Sequence, residues 1–293
     1  MARRPKLKPP RSVAGKLCLV TGAASGIGRA TALETAARGG AVVLTDIQAD
    51  ALAETAAEIE RRGGEVRFAE AGDISDHEAV AAMAERVHAE HGPVDVVMNV
   101  AGISAWGEVQ NLEHDQWRRM IDVNLMGPIH VIESFVPRMI EARRGGHLLN
   151  VSSAAGLFGF PWHAAYSASK FGLRGISEVL RFDLRRYGIA VHLCVPGGVD
   201  TPLVGTVEIA GLERDSPVVQ KFVKRFQGHA QTPEHVAVKM LDGIQKNRYW
   251  IYTSRDIQFG HFAQRKFEWP YTLAMRGAND AFAGVARKSR GGG

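Results

Sequence analysis

Tyr166 and Lys170 are the pair in this sequence best suited to moving a proton. They stand four apart in Tyr166-Ser-Ala-Ser-Lys170, so on a helix they share a face and can meet one ligand. A free phenol, with a pKa near ~10, is a poor base at neutral pH. An ammonium beside it, joined by a positively charged ligand, favours the phenolate and lowers that pKa towards the working range. A second constellation is Thr21-Gly22-Ala23-Ala24-Ser25-Gly26-Ile27-Gly28. Its glycines permit a tight strand-to-helix turn and let the backbone approach a pyrophosphate at the helix N-terminus. Asp46 follows Gly28 by 18 residues and ends an apolar run. A carboxylate placed there accepts both hydroxyls of an adenosine ribose. It would repel a 2′-phosphate, and neither its neighbours nor Ser25 supply an Arg or Lys to reverse this. NAD(H) is therefore expected in preference to NADP(H).

These groups need elements that bring them to one place. Apolar, β-branched runs at 16–21, 41–46, 66–70, 94–99, 147–152 and 190–195 read as strands. Helical sequence lies between them, at 29–38, from 46 to about 62, at 77–91, 115–143 and 165–187. Repeated strand–helix units of this size specify an α/β fold: a single Rossmann-like, doubly wound parallel sheet with helices on both faces. Past Thr201 the alternation weakens, with charged, helix-compatible sequence at 203–228. Thr232 then reads as the N-cap of a helix through 236–244, with Pro233 at its first position, and 249–253 as a last strand. An aromatic-rich stretch closes the pattern at 259–282.

Composition excludes several classes. The 293 residues are 45% hydrophobic and 23% charged, which is ordinary for a folded protein rather than a disordered or disulfide-stapled one. Cys18 and Cys194 sit in apolar runs and read as buried small hydrophobes, which points to a reducing, cytoplasmic location. The net charge of +5 belongs to the ends. Eight of the 36 basic residues lie in 1–11 and 287–293, and the 28 that remain face 31 acids, so the body is about −3. A nucleic-acid-binding domain carries its basic surface on the folded body, so no nucleic acid is expected. No apolar run spans a membrane, and the basic start has no apolar stretch after it, so it reads as a solvated tail rather than a secretory signal. The histidines are scattered without ligand spacing, and no metal is expected.

The spacing of the glycine turn, together with motifs further along the chain, resembles the short-chain dehydrogenase/reductase family. Asn99-Val100-Ala101-Gly102 stands where that family has Asn-Asn-Ala-Gly, with Val100 a departure that should affect only local hydrogen bonding. Asn124, Ser153, the Tyr166/Lys170 motif and Pro196-Gly197-Gly198-Val199-Asp200-Thr201 come after it in order, so the matches run from Leu17 to Thr201. The resemblance implies that Tyr166 exchanges the hydroxyl proton and that Lys170 also binds the nicotinamide ribose. It implies that Ser153, 13 residues before Tyr166, bonds the substrate oxygen, while Ser152 pairs with backbone. Asn124 would hold a water in a proton path towards Lys170. The implied cofactor set is Gly22, Ser25, Gly26, Ile27, Gly28, Asp46, Asp73, Ile74, Asn99, Ala101, Gly102, Tyr166, Lys170, Pro196, Gly197, Val199 and Thr201. Within it Asp73 and Ile74 would meet adenine, Ala101 and Gly102 the adenosine, and Val199 and Thr201 the carboxamide.

The same resemblance makes 203–230 a substrate lid, within a domain of 13–258 flanked by a flexible tail at 1–12 and an extension at 259–293. The lid carries Leu203, Val204, Val207, Ile209, Leu212 and Phe222, and Leu157, Phe158, Phe160, Pro161, Trp162 and His163 precede Tyr166. Such a wall suits a lipophilic secondary alcohol or ketone, of steroid, retinoid, terpenoid or fatty-acyl type. Phe259, Phe262 and Phe267 would anchor an amphipathic helix in the core or a subunit interface, ahead of weak membrane-surface contact. A homodimer or homotetramer is expected. The competing readings are an NADPH-dependent 3-ketoacyl reductase and a non-catalytic nucleotide-binding scaffold or sensor.

Overall fold

A computed structural model describes residues 7–202, 208–212, 220 and 230–290. Seven parallel strands form one sheet: β1 (Leu17–Thr21), β2 (Ala41–Asp46), β3 (Glu65–Ala71), β4 (Val96–Asn99), β6 (Gly146–Val151), β7 (Ile189–Val195) and β9 (Trp250–Tyr252), in the order β3-β2-β1-β4-β6-β7-β9. The inner strands are covered on both faces, which is why they read as unbroken apolar runs. At the edge, β3 (EVRFAEA) alternates between exposed and half-buried residues, which explains its weaker signal. Alternate side chains feed two cores. Cys18 and Val20 of β1 enter one with Val236, Met240 and Ile244, while Leu19 enters the other with Val87, Phe135 and Met139. A separate two-stranded ladder pairs β5 (Ala105–Gly107) with β8 (Glu208–Ala210).

Helices connect the strands: α1 (Gly26–Ala37), α2 (Ala49–Arg61), α3 (His77–His91), α4 (His114–Ile121), α5 (Gly127–Ala142), α6 (Ala164–Asp183), α7 (Pro233–Gln245), α8 (Arg255–Gln264) and α9 (Glu268–Arg290). Thr232 caps α7 as expected, its Oγ1 accepting the His235 N–H at 3.2 Å. The single helix expected over 115–143 is instead α4 and α5 joined by a π turn, Asp122–Met126. Pro128 explains the turn. It has no N–H, so the carbonyl of Asn124, four residues back, loses its α-helical donor and the chain widens there.

Two expectations need correction. Leu157 and Phe158, expected on the substrate wall, are buried in a core cluster with Leu193, Val195 and Ile257. Phe259, Phe262 and Phe267 are 71%, 61% and 57% exposed in the single chain, which overturns the core packing expected for them but not the subunit-interface alternative. Part of the expected N-terminal tail lies against the body: the Pro10 carbonyl is 2.6 Å from His147 Nε2. The lid expected at 203–230 falls mostly outside the described residues. No described helix is long and apolar enough to cross a membrane.

Strand register brings the chemistry to one edge. Thr21 stands opposite Thr45, next to Asp46, while Asn99 stands opposite Asn150. The carboxyl ends of β1, β2, β4, β6 and β7 therefore deliver the glycine turn, Asp46, the Ala101-Gly102 turn, Ser153 and Pro196-Gly197 to the same side. Strand order reverses between β1 and β4, and in open α/β sheets such a crevice is where ligands bind.

Candidate active site

The glycine turn is shaped by close approach. Gly22 has φ +70°, and a Cβ there would lie 2.8 Å from the Ala101 Cα. A Cβ on Gly28 would lie 1.8 Å from the Gly22 carbonyl oxygen, so only glycine lets α1 start this near β1. Thr21 ties the turn to β4, its Oγ1 accepting the N–H groups of Val100 at 3.0 Å and Ala101 at 3.1 Å. Position 100 thus contributes its main chain here, and a valine side chain costs this junction nothing. Asp46 is held by two backbone donors, Ala24 N–H at 3.0 Å to Oδ2 and Gln48 N–H at 2.9 Å to Oδ1. A carboxylate oxygen can accept more than one hydrogen bond, so both oxygens retain capacity for hydroxyls.

A cleft of about 260 Å³ runs along this edge, lined by Gly22, Ser25, Gly26, Ile27, Gly28, Asp46, Asp73, Ile74, Ala101, Gly102 and Thr201. No side chain caps α1, and no acidic residue lies in its first turn, so the helix does not offset the positive end of its own dipole. Backbone close approach, a free helix N-terminus and a clamped carboxylate fit the pyrophosphate and ribose of a dinucleotide. Asn99 is placed differently. It is 2% exposed and its Nδ2 donates to Asn150 Oδ1 at 2.9 Å, beneath the cleft rather than in it. Asn150 Nδ2 donates in turn to Ser177 Oγ at 2.9 Å, so this polar ladder fixes β4, β6 and α6 relative to one another.

A cavity of about 530 Å³ adjoins the cleft, sharing Ile27, Gly102, Ile103 and Thr201 with it. Ser153, Tyr166, Lys170, Pro196, Gly197 and Val199 all line it. Lys170 Nζ stands 5.7 Å from the centre of the Tyr166 ring and donates to the Val151 carbonyl at 3.1 Å. A Cβ on Gly102 would come within 3.3 Å of that nitrogen, so the glycine keeps the ammonium open to a ligand. Ser152 Oγ donates to the Lys170 carbonyl at 3.0 Å, whereas Ser153 Oγ accepts the Ala155 N–H at 3.1 Å beside the cavity.

The electrostatics differ from expectation in the protein alone. Burial pushes the Tyr166 phenol up, and a hydrogen bond with Ser153 opposes this. Burial also pushes Lys170 down to about 8. In the protein alone the net shift of Tyr166 is therefore upward, opposite to the direction a bound positive ligand favours. Asn124 is fixed by protein partners. Its Oδ1 accepts the Ile103 N–H at 2.8 Å, and its Nδ2 donates to the Ile103 carbonyl at 2.9 Å and to Ser169 Oγ at 3.3 Å. Its amide is therefore engaged by protein on both sides.

Several lining residues escaped the sequence reading. Trp106, Asp256, Ile257, Ala278 and Phe282 also border the cavity, the last two from α9. Phe282 stacks on Trp162 with centroids 5.3 Å apart and planes at 25°. Trp162 has φ +66°, a conformation that costs a bulky residue about 1–2 kcal/mol. Among the described residues no group of three or more His, Cys, Asp or Glu could hold a metal ion.

A sheet with this strand order, a glycine turn on its first strand and a Ser–Tyr–Lys cavity beside it define a nucleotide-dependent oxidoreductase scaffold. The family model described as short chain dehydrogenase matches residues 16–210, and the chain belongs to the short-chain dehydrogenase/reductase family, whose members act on CH–OH groups. It is 36% identical over 250 residues to the protein named "Probable oxidoreductase EphD" of Mycobacterium tuberculosis, a match covering 84% of this chain and 42% of that protein. It therefore spans less than half the length of that relative. It is 39% identical over 230 residues to a 3beta-hydroxysteroid dehydrogenase of Mediterraneibacter gnavus, covering 78% and 79% of the two chains. A short-chain dehydrogenase/reductase from Burkholderia phymatum, solved in complex with NAD, superposes with TM-score 0.78 at 27% identity over 90% and 95% of the chains. A metagenomic short-chain oxidoreductase solved with NADP gives TM-score 0.65 at 32% identity over 83% and 97%.

Proposed function

We propose that this protein is an NAD(H)-dependent dehydrogenase/reductase interconverting a lipophilic secondary alcohol and its ketone. The observation that carries the reading is the convergence of Ser153, Tyr166 and Lys170 in a cavity continuous with the Asp46 cleft. The nicotinamide supplies or accepts the hydride. Ser153 Oγ bonds the substrate oxygen and steadies the charge that gathers there. Tyr166 takes the hydroxyl proton in oxidation and returns it in reduction. Lys170 binds the nicotinamide ribose and, when charged, favours the phenolate. Asn124 acts as a positioning residue: its amide fixes Ile103. Asp46 accepts the adenosine ribose hydroxyls, which supports NAD(H) over NADP(H), while Val199 and Thr201, which line the cavity, would hold the carboxamide.

An apolar substrate is supported by Trp106, Phe160, Ile257 and Phe282 around the cavity, and the steroid-acting relative is consistent with that class. Assembly as a homodimer or homotetramer is supported by Phe171, Val179 and Phe182, which leave apolar surface exposed on α6. Two buried free cysteines support a cytoplasmic setting. The test is a panel of hydrophobic secondary alcohols followed by NADH absorbance, with NAD+ and NADP+ in parallel. Turnover with NAD+ preferred is the expected outcome; a preference for NADP+ contradicts the assignment of Asp46.

A further inference from the structure

Resting on that reading, we infer that α9 is part of the substrate site and that Phe282 makes it select alcohols whose carbinol carbon belongs to a ring. Ala278 and Phe282 lie one helical turn apart on α9 and both face the cavity that holds Tyr166. The helix is pinned there at two points. The Tyr271 hydroxyl accepts the Gly159 N–H at 2.9 Å, and Phe282 stacks on Trp162 at 5.3 Å.

Both pins fall on the loop that leads into α6, and hence on the approach to Tyr166. Trp162 is held at φ +66° between them, with its carbonyl accepting the Gly107 N–H at 2.8 Å. A bulky residue stays in that region only where its surroundings fix it, and here β5 on one side and Phe282 on the other do so.

Trp106, Phe160, His163, Tyr166 and Phe282 give that cavity an aromatic wall. His163 lies 4.5 Å from Trp106, 6.3 Å from Tyr166 and 6.4 Å from Phe282, centroid to centroid. Its Nδ1 is 2.7 Å from the Pro161 carbonyl, which fixes the ring plane. These rings pack on one another along the wall, and their parts that border the cavity reward a rigid ring with stacked or edge-on contacts. A linear chain makes fewer such contacts and loses rotor entropy on entering.

The experiment compares α-tetralol with a linear secondary decanol of equal carbon number, in the full-length protein with NAD+ present. Binding is read by quenching of tryptophan fluorescence, since Trp106 borders the cavity, and turnover by NADH absorbance. The wild type should bind α-tetralol more tightly than the decanol. Phe282→Ala should weaken α-tetralol by about tenfold in both readouts and leave the decanol within about twofold. Phe282→Leu, which keeps apolar bulk in the helix, should lose the same discrimination with an unchanged melting temperature. Equal losses on both alcohols, no loss on either, or a wild-type preference for the decanol overturns the inference. Phe282-dependent binding of α-tetralol without oxidation of either alcohol supports this inference while contradicting the dehydrogenase reading, so the two fail separately.

Discussion

At Tyr166 burial holds a phenol above its usual pKa, and a positive ring bound beside it would act in the opposite direction. Lys170 is the other source of positive charge, and burial brings it down to about 8. Alcohol oxidation needs the phenolate, so its rate rises with pH through the Tyr166 pKa. Removing the ammonium raises that pKa, so Lys170→Met should move the rising limb of the kcat/KM profile to higher pH. An unmoved limb contradicts the electrostatic role of Lys170. On the proposed NAD(H) reading, Asp46→Ser removes a carboxylate that would repel a 2′-phosphate, and the NADP+ to NAD+ ratio of kcat/KM should rise by at least about tenfold. These residues were legible in the sequence because motif spacing constrains them: a four-residue step for Tyr166 and Lys170, a strand end for Asp46. Asn99 was legible only as a position. Its partners, Asn150 and Ser177, are remote in sequence, and nothing local marks a buried ladder.

Elements were legible where one physical signal dominated. Runs covered on both faces gave β2 its observed bounds, and the Thr232-Pro233 start gave α7. The π turn was missed, although Pro128 four residues after Asn124 carried its signal. For Phe259, Phe262 and Phe267 the choice between core and interface was not legible, because an amphipathic pattern shows that a face is apolar and not what covers it. Two predictions belong at this scale. Thr232→Ala removes the N-cap of α7 and should cost about 1 kcal/mol, read as a lower urea midpoint at unchanged slope. Gly28→Ala forces a Cβ against the Gly22 carbonyl and should weaken NAD+ binding by at least about tenfold, read by calorimetry. Wild-type affinity in that variant contradicts the close-approach account of the turn.

For the whole molecule, a buried histidine pair joins the N-terminal segment to the sheet. His147 Nδ1 is 2.8 Å from His192 Nε2, with the Pro10 carbonyl at one end and the Arg248 carbonyl 2.7 Å from His192 Nδ1 at the other. Burial lowers His147 to about 4 and His192 to about 3, both from 6.5. Between those values the unfolded chain binds more protons than the folded one, so this contribution to stability is present above about pH 6.5 and is lost as pH falls towards 4 and 3. A His147→Gln, His192→Gln variant should show a shallower fall in melting temperature over that range than the wild type. The charge at the two ends and the parallel architecture were readable from composition and alternation. The arrangement of α9 over the active site was not, because helical pattern does not say where in the molecule a helix docks.

The central claim is that Tyr166 carries the hydroxyl proton while hydride moves to or from the nicotinamide. Tyr166→Phe removes one oxygen and leaves the ring, so cofactor binding by calorimetry should stay within about twofold of wild type while kcat falls by about 10²–10⁴-fold. Turnover of any accepted alcohol at the wild-type rate by Tyr166→Phe would contradict the account.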